Sequence, residues 1–157
     1  MLDFLKKKKK VLLAPVDGHI MKLLDVEDQV FSSGMMGEGI AIEPIGDLFV
    51  SPVDCEISLI AVTKHAIGLK LSNGLEILIH IGLDTVKMNG EGFDILVNEG
   101  DNVQVGTPLV KMDINLFKSQ GISLVTPMVL LNHTDYDFKI LVEQGECIAG
   151  QTELITF

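Results

Sequence analysis

The chain has 157 residues, of which 47% are hydrophobic, and a formal net charge of −10. This length suits one domain that buries roughly two thirds of the surface its unfolded chain exposes, so folding needs neither a metal nor a disulfide. The negative charge argues against nucleic-acid binding, because phosphate backbones would be repelled, and it favours a basic protein partner. All apolar runs are shorter than the ~18 residues of a membrane-spanning helix.

In the first ten residues, the apolar side chains of Leu2, Phe4 and Leu5 are followed by five consecutive lysines. We expect residues 1–10 to form a flexible, basic, solvated tail. The alternative is a short amphipathic leader that touches an anionic membrane, although ten residues are too few for a stable anchor. Because charge follows the apolar residues and no apolar core of a secretory signal is present, we expect a cytoplasmic protein.

From residue 11 onward, short Val/Ile/Leu-rich runs alternate with Gly, Pro, Asp and Asn. This pattern predicts that residues 11–157 form one compact, all-β domain, an antiparallel β-sandwich or barrel of the barrel-sandwich hybrid type, with a few short helical turns. The predicted strands are Val11–Ala14, His19–Leu23, Ile40–Pro44, Leu48–Val50, Glu56–Ala61, Ile67–Leu71, Leu75–Ile81, Val103–Val105, Pro108–Met112, Met128–Leu131, Cys147–Ala149 and Glu153–Thr156. The predicted helical turns are Phe93–Asn98, Ile114–Ser119 and Asp137–Val142.

A hairpin signal between residues 63 and 85 is the most informative segment, because it carries two histidines. With Ser72 and Asn73 as a two-residue turn, His65 lies directly opposite His80. With Asn73 and Gly74 as the turn, the stronger type I′ signal, the histidines are diagonal neighbours. Either register places the imidazoles on one face, with Cβ atoms ~5 Å or ~7–8 Å apart. A three-residue turn would place them on opposite faces.

Eight short motifs occur along the chain in the same order as in a known protein family. They are Ala14–Gly18, Gly37–Pro44, Ser51–Asp54, Thr63–Ala66, Leu78–Val86, Gly90–Phe93, Gly100–Gly106 and Thr126-Pro127. Over residues 13–155 the chain thus resembles the glucose-type enzyme IIA domain of the bacterial phosphoenolpyruvate:sugar phosphotransferase system. The resemblance implies a phosphoryl carrier that takes phosphate from phosphohistidine on HPr and passes it to a cysteine of an enzyme IIB domain. Which sugar is served and whether other proteins are regulated stay open.

The resemblance implies that His80 is the phosphorylated residue, that His65 is its partner, and that Thr63 orients His65. A neutral imidazole, with an ordinary pKa of ~6.5, is a competent nucleophile near pH 7. The second imidazole can donate an N–H to a phosphate oxygen when its other nitrogen is held, and we expect Thr63 to accept from that nitrogen. Gly82 would let the backbone approach the phosphate closely.

The resemblance also implies a docking surface around the histidines. Asp28 and Asp84 match acidic positions that meet an arginine of HPr. Four apolar residues would line the surface and keep water from the phosphoryl group: Val30, Phe31, Met35 and Met36. Gln29, Leu131 and Ile67 depart from the family pattern, which bears on partner preference.

Three further interpretations concern cofactors and thiols. A lipoyl- or biotin-type carrier module would modify Lys111, but the usual preceding Ala-Met is missing. A zinc hydrolase would use His65 and His80, yet it normally needs a third protein ligand, so we expect no required cofactor and at most adventitious zinc. Cys55 and Cys147 form no CxxC motif, which predicts two buried, reduced thiols.

Overall fold

The computed structural model describes residues 10–157, in which fourteen strands are joined by short turns and helices. The strands are β1 Val11–Leu13, β2 Gly18–Lys22, β3 Glu38–Pro44, β4 Leu48–Val50, β5 Cys55–Ile60, β6 Ala66–Lys70, β7 Glu76–His80, β8 Phe93–Ile95, β9 Asn102–Val103, β10 Pro108–Met112, β11 Thr126–Leu130, β12 Lys139–Ile140, β13 Gly145–Cys147 and β14 Glu153–Thr156. The α-helices are α1 Gln29–Ser32 and α2 Ile114–Ser119, and 3₁₀ turns span Leu23–Asp25, Thr85–Met88 and His133–Asp135.

The strands form three sheets in which every pairing between these elements is antiparallel. Their orders are β1-β14-β12, β4-β10-β8 and β13-β2-β3-β11-β7-β6-β5-β9. The large sheet therefore has two edge strands, β13 and β9, and does not close on itself. The all-β prediction is confirmed, as a sandwich rather than a closed barrel.

The N-terminal tail prediction falls mostly outside the described residues, because the structure describes the chain from Lys10. Lys10 itself exchanges two backbone hydrogen bonds with Phe157, at 2.9 and 3.0 Å. This residue therefore extends the pairing of β1 with β14.

Two apolar clusters pack on opposite faces of the large sheet, because successive strand side chains alternate. On β7, Ile77 and Ile79 enter the main core, whereas Leu78 belongs to the other cluster. We call this second group the site-face cluster: Leu23, Val26, Phe31, Ala41, Ala66, Leu78, Leu83 and Val129. Each buried Val, Leu or Phe side chain of this cluster contributes about 1.5–3 kcal/mol. His80 shares the face of Leu78 and so lies on the side covered by this thinner layer.

Of the three helical turns predicted from local periodicity, the structure confirms one. Helix α2 is confirmed, but Phe93–Asn98 begins with β8, which pairs with β10, and Asp137–Val142 contains β12, which pairs with β14. In both cases a neighbouring strand satisfies the backbone hydrogen bonds, which outweighs a weak local preference. Helix α1 was not predicted, and its start is fixed by Asp28, whose carboxylate accepts from the Val30 N–H at 2.9 Å.

The register of the β6–β7 hairpin contradicts both two-residue turns. Ala66 pairs with His80, and the hydrogen bond from Leu71 N–H to the Leu75 carbonyl closes a three-residue loop, Ser72–Gly74. The Asn73 side chain accepts from the Leu75 N–H at 3.0 Å. This local turn competes with the type I′ geometry that the sequence favoured.

Candidate functional site

The two histidines meet although the hairpin loop has three residues. Their ring centroids lie 4.8 Å apart with an interplanar angle of 79°. His80 ends β7, whereas His65 precedes β6 and belongs to the β5–β6 loop. Because alternation of faces applies only inside a strand, the expectation that a three-residue turn separates the rings is wrong.

The His80 ring is held in one tautomer. Its Nδ1 lies 2.8 Å from the Gly82 carbonyl oxygen, which can only accept, so Nδ1 carries the hydrogen and Nε2 keeps a lone pair. Burial lowers the pKa of His80, while the Gly82 hydrogen bond and the charges of Asp28 and Asp84 oppose this shift. The ring is therefore neutral near pH 7 and has a nucleophilic nitrogen.

Gly82 serves the site through its carbonyl, a role that the sequence reasoning did not assign. Its φ is +77°, and a Cβ there would lie 2.4 Å from the Thr85 side chain and 2.9 Å from the Ser123 carbonyl. Only glycine fits this turn without displacing its neighbours. The turn aims the Gly82 carbonyl back at the ring of His80.

The His65 ring is fixed by Thr63. The Thr63 hydroxyl lies 2.6 Å from Nδ1, and both residues are half-buried. Burial lowers the pKa of His65, and the neighbouring His80 lowers it further. In a neutral ring with hydrogen on Nε2, Nδ1 accepts, so Thr63 then donates rather than accepts as we had expected.

The four apolar docking residues occupy different depths. Phe31 is 3% exposed, and its ring centroid lies 4.9 Å from that of His80. Val30 and Met35 are 46% and 81% exposed, and Met36 packs against the site-face cluster. Phe31 therefore forms the wall behind His80, whereas Val30 and Met35 are available at the surface.

Comparison with known proteins decides the family. Residues 10–136 match the family model described as phosphoenolpyruvate-dependent sugar phosphotransferase system, EIIA 1. The chain belongs to this EIIA family. It is therefore a phosphotransferase component of a sugar phosphotransferase system.

Individual relatives agree with this EIIA assignment. The glucose-specific EIIA component of Staphylococcus aureus is 42% identical over 150 residues, covering 95% of this chain and 90% of the relative. The glucoside-specific EIICBA component of Staphylococcus carnosus is 46% identical over 140 residues, but the chain spans only 20% of that relative's length. The glucose permease IIA from Mycoplasma capricolum has a TM-score of 0.88 at 38% identity, covering 95% of this chain and 96% of that structure.

Two acidic residues of this EIIA domain, Asp28 and Asp84, lie close enough to His80 for their charges to act on its pKa. Asp28 caps α1 and is half-buried, while Asp84 is exposed with φ +60° at the start of Thr85–Met88. A groove of about 650 Å³ lies beside Asp84. Its acidic side chains are Asp25, Glu27, Glu43 and Asp84, and its basic one is Lys87. The charged side chains that line this groove are thus predominantly negative.

The departures from the EIIA pattern lie in different environments. Gln29 and Leu131 are exposed, so they can affect a docking rim. Ile67 is buried in the main core, where it can influence a partner only through packing.

Lys111 lies inside β10 and pairs with both Leu48 and Asp94, so the modified-lysine interpretation is wrong: this lysine is not at a turn.

The remaining predictions concern the two cysteine thiols, metal binding and membrane-spanning helices. Cys55 and Cys147 are buried and free, as predicted, and burial raises the pKa of both thiols. Within residues 10–157, no three His, Cys, Asp or Glu side chains are grouped to hold a metal ion. In the same part of the chain, no helix is long and apolar enough to cross a membrane.

Proposed function

We propose that His80 accepts a phosphoryl group from phosphohistidine on HPr and passes it to a cysteine of an enzyme IIB domain. In the first step, the Nε2 lone pair forms a P–N bond as the donor's P–N bond breaks. In the second, the partner's cysteine thiol first loses its proton to solvent, and the resulting thiolate forms a P–S bond as the bond to Nε2 breaks. Each step is an in-line displacement that requires positioning more than covalent assistance.

The observation that carries this proposal is the hydrogen bond from His80 Nδ1 to the Gly82 carbonyl, with the His65 ring 4.8 Å away. The first contact presents Nε2 as the nucleophile. The second brings an N–H donor within reach of a phosphoryl group on His80, where negative charge on the equatorial oxygens needs stabilisation. Thr63 holds His65 in the orientation that this donation requires.

The surroundings of His80 suit transfer between proteins. The Phe31 ring and the site-face cluster exclude water from one side, which protects a P–N bond from hydrolysis. Asp28 and Asp84 can meet an arginine of HPr, and Val30 and Met35 add exposed apolar area for transient docking.

A IIB partner is supported by the name of one relative, which joins components C, B and A. The proposed reaction uses the two imidazoles and no cofactor. They would offer zinc two nitrogen ligands, fewer than the three protein ligands of a catalytic zinc site, so zinc binding would be adventitious.

Incubation with phosphoenolpyruvate, enzyme I and HPr tests this function. We expect acid-labile phosphate on the wild-type protein and none on His80→Gln. His65→Gln should retain some label but fail to pass it to an enzyme IIB domain, because the phosphate-stabilising donor is lost. His19→Gln is the matched control, since His19 is exposed on β2 beside Glu146, and it should behave as wild type.

Two outcomes would contradict the assignment. Full labelling of His80→Gln would place the phosphoryl group on another residue. Normal onward transfer by His65→Gln would remove the role given to the second imidazole.

A further inference from the structure

The loop between β5 and β6, not β6 itself, carries His65. The Ala61 N–H donates to the Ala66 carbonyl at 3.0 Å, so residues 62–65 form the loop that this pair closes. Both Thr63 and His65 belong to it. The orientation of the second imidazole is therefore a property of a four-residue loop.

Strand geometry alone would turn His65 away from His80. Ala66 pairs with His80, so the next ladder position sets His65 against Ile81, whose N–H donates to the His65 carbonyl at 2.7 Å. The Ile81 side chain is buried in the main core, on the opposite face of the sheet. A continued strand would place the His65 side chain there as well. Its ring instead packs against His80.

At Lys64, immediately before His65, the backbone leaves the extended conformation of a strand. Its φ is +62°, in the left-handed region that a residue with a Cβ adopts infrequently. Its N–H donates to the Ala61 carbonyl at 2.8 Å. Its side-chain stem lies over Gly90, where an added Cβ would be 3.4 Å from Lys64 Cδ. The backbone hydrogen bond to Ala61 thus fixes this conformation, while the side-chain stem packs over Gly90.

We propose that Lys64 is a positioning residue of the phosphoryl site, whose left-handed conformation turns His65 out of strand alternation and onto the face of His80. Lys64 acts through His65. The consequence for transfer rests on the proposed function, whereas the consequence for ring geometry does not.

Substitutions at Lys64 separate the backbone from the side chain. Glycine adopts positive φ without steric cost, whereas β-branched valine is strongly disfavoured there. We expect Lys64→Gly to transfer phosphate to an enzyme IIB domain almost as wild type does. Lys64→Val should lose up to about 100-fold in this step, the effect that a misplacement of about 1 Å can have. Labelling of His80 should fall much less.

Ring geometry is measured without any phosphate. Nuclear Overhauser contacts between the two imidazoles should persist in Lys64→Gly and weaken in Lys64→Val. The pKa of His65 should rise toward its ordinary value in Lys64→Val, because burial and, to a smaller extent, the neighbouring His80 lower it in the wild type. If Lys64→Val does not fold, Lys64→Ala gives the same comparison with a smaller conformational penalty.

Asn89→Val is the matched control, because Asn89 also has a positive φ, +52°, but ends the Thr85–Met88 turn. It should lower stability while leaving onward transfer and the ring contacts intact. Ring contacts and transfer that survive in Lys64→Val would overturn the proposal, as would equal losses in Lys64→Gly. Absence of label on His80 in the wild type would overturn the proposed function, and the ring contacts would still decide the role of Lys64.

Discussion

At the scale of single residues, the nucleophilicity of His80 depends on which nitrogen carries the hydrogen. The Gly82 carbonyl fixes that hydrogen on Nδ1, and burial against Phe31 favours the neutral ring. The two effects act together, because a protonated imidazole has no lone pair to offer. Substituting Gly82 would therefore disturb the nucleophile through its orientation rather than through its charge.

The lowered pKa of His80 predicts a pH-dependent stability. The unfolded chain takes up a proton near the ordinary pKa of about 6.5, before the folded protein does. Between the two pKa values the unfolded state holds more protons, so stability rises with pH there. We expect the free energy of unfolding, measured with urea, to keep its full value above about pH 6.5 and to fall as pH drops through the folded-state pKa.

His80→Gln is the control for this pH effect, because it removes the titrating group and should show a smaller loss of stability on acidification. An imidazole NMR titration of folded wild-type protein gives the direct check. A midpoint for His80 above the ordinary value would contradict the prediction.

At the scale of elements, the far end of the β6–β7 hairpin is clamped by the segment that follows β11. The Asn132 side chain accepts from the Glu76 N–H at 2.9 Å and donates to the Gly74 carbonyl at 3.0 Å. The Tyr136 hydroxyl donates to the Asn73 carbonyl at 2.8 Å. These contacts hold the three-residue loop and thereby the register that places Ala66 beside His80.

Removing this clamp should destabilise the protein. Asn132→Ala leaves one backbone donor and one backbone acceptor without their partner, which costs about 1–3 kcal/mol. Urea unfolding measures the loss. Asn115→Ala, at an exposed position of α2, should change stability by less than about 0.5 kcal/mol. An equally small effect of Asn132→Ala would show that the clamp is dispensable.

Element types were largely predictable because alternating apolar residues and turn residues mark short strands. The exceptions arose where pairing partners lie far away in sequence. β8 pairs with β10 and β12 with β14, and neither partner is visible in a local window. The hairpin register failed for a related reason: the loop is stabilised by Asn132 and Tyr136, more than fifty residues distant.

At the scale of the whole molecule, the charge of −10 and the acidic groove beside Asp84 suit association with a basic protein. Such attraction acts over a distance set by salt, because the Debye length falls from about 30 Å at about 0.01 M ionic strength to about 8 Å at about 0.15 M. In the proposed reaction, long-range attraction raises the rate at which HPr finds the site.

We therefore expect the rate of phosphoryl transfer from phospho-HPr to fall as salt is raised over that range. Rapid-quench measurement at several ionic strengths checks this. The double variant Asp28→Asn/Asp84→Asn should depend less steeply on salt, while Asp94→Asn on β8, in a different sheet, should keep the wild-type dependence. A salt-independent wild-type rate would contradict electrostatic steering.

The sequence by itself determined the all-β class, the family and the two histidines, because strand alternation, turn residues and ordered motifs are local signals. Only the tertiary structure decided how the histidines meet. Their approach depends on the conformation of Lys64, on the Gly82 carbonyl and on Phe31 packed behind the ring of His80. These are relations among a loop, a turn and a helix, which form only when distant segments pack on one face of the sheet.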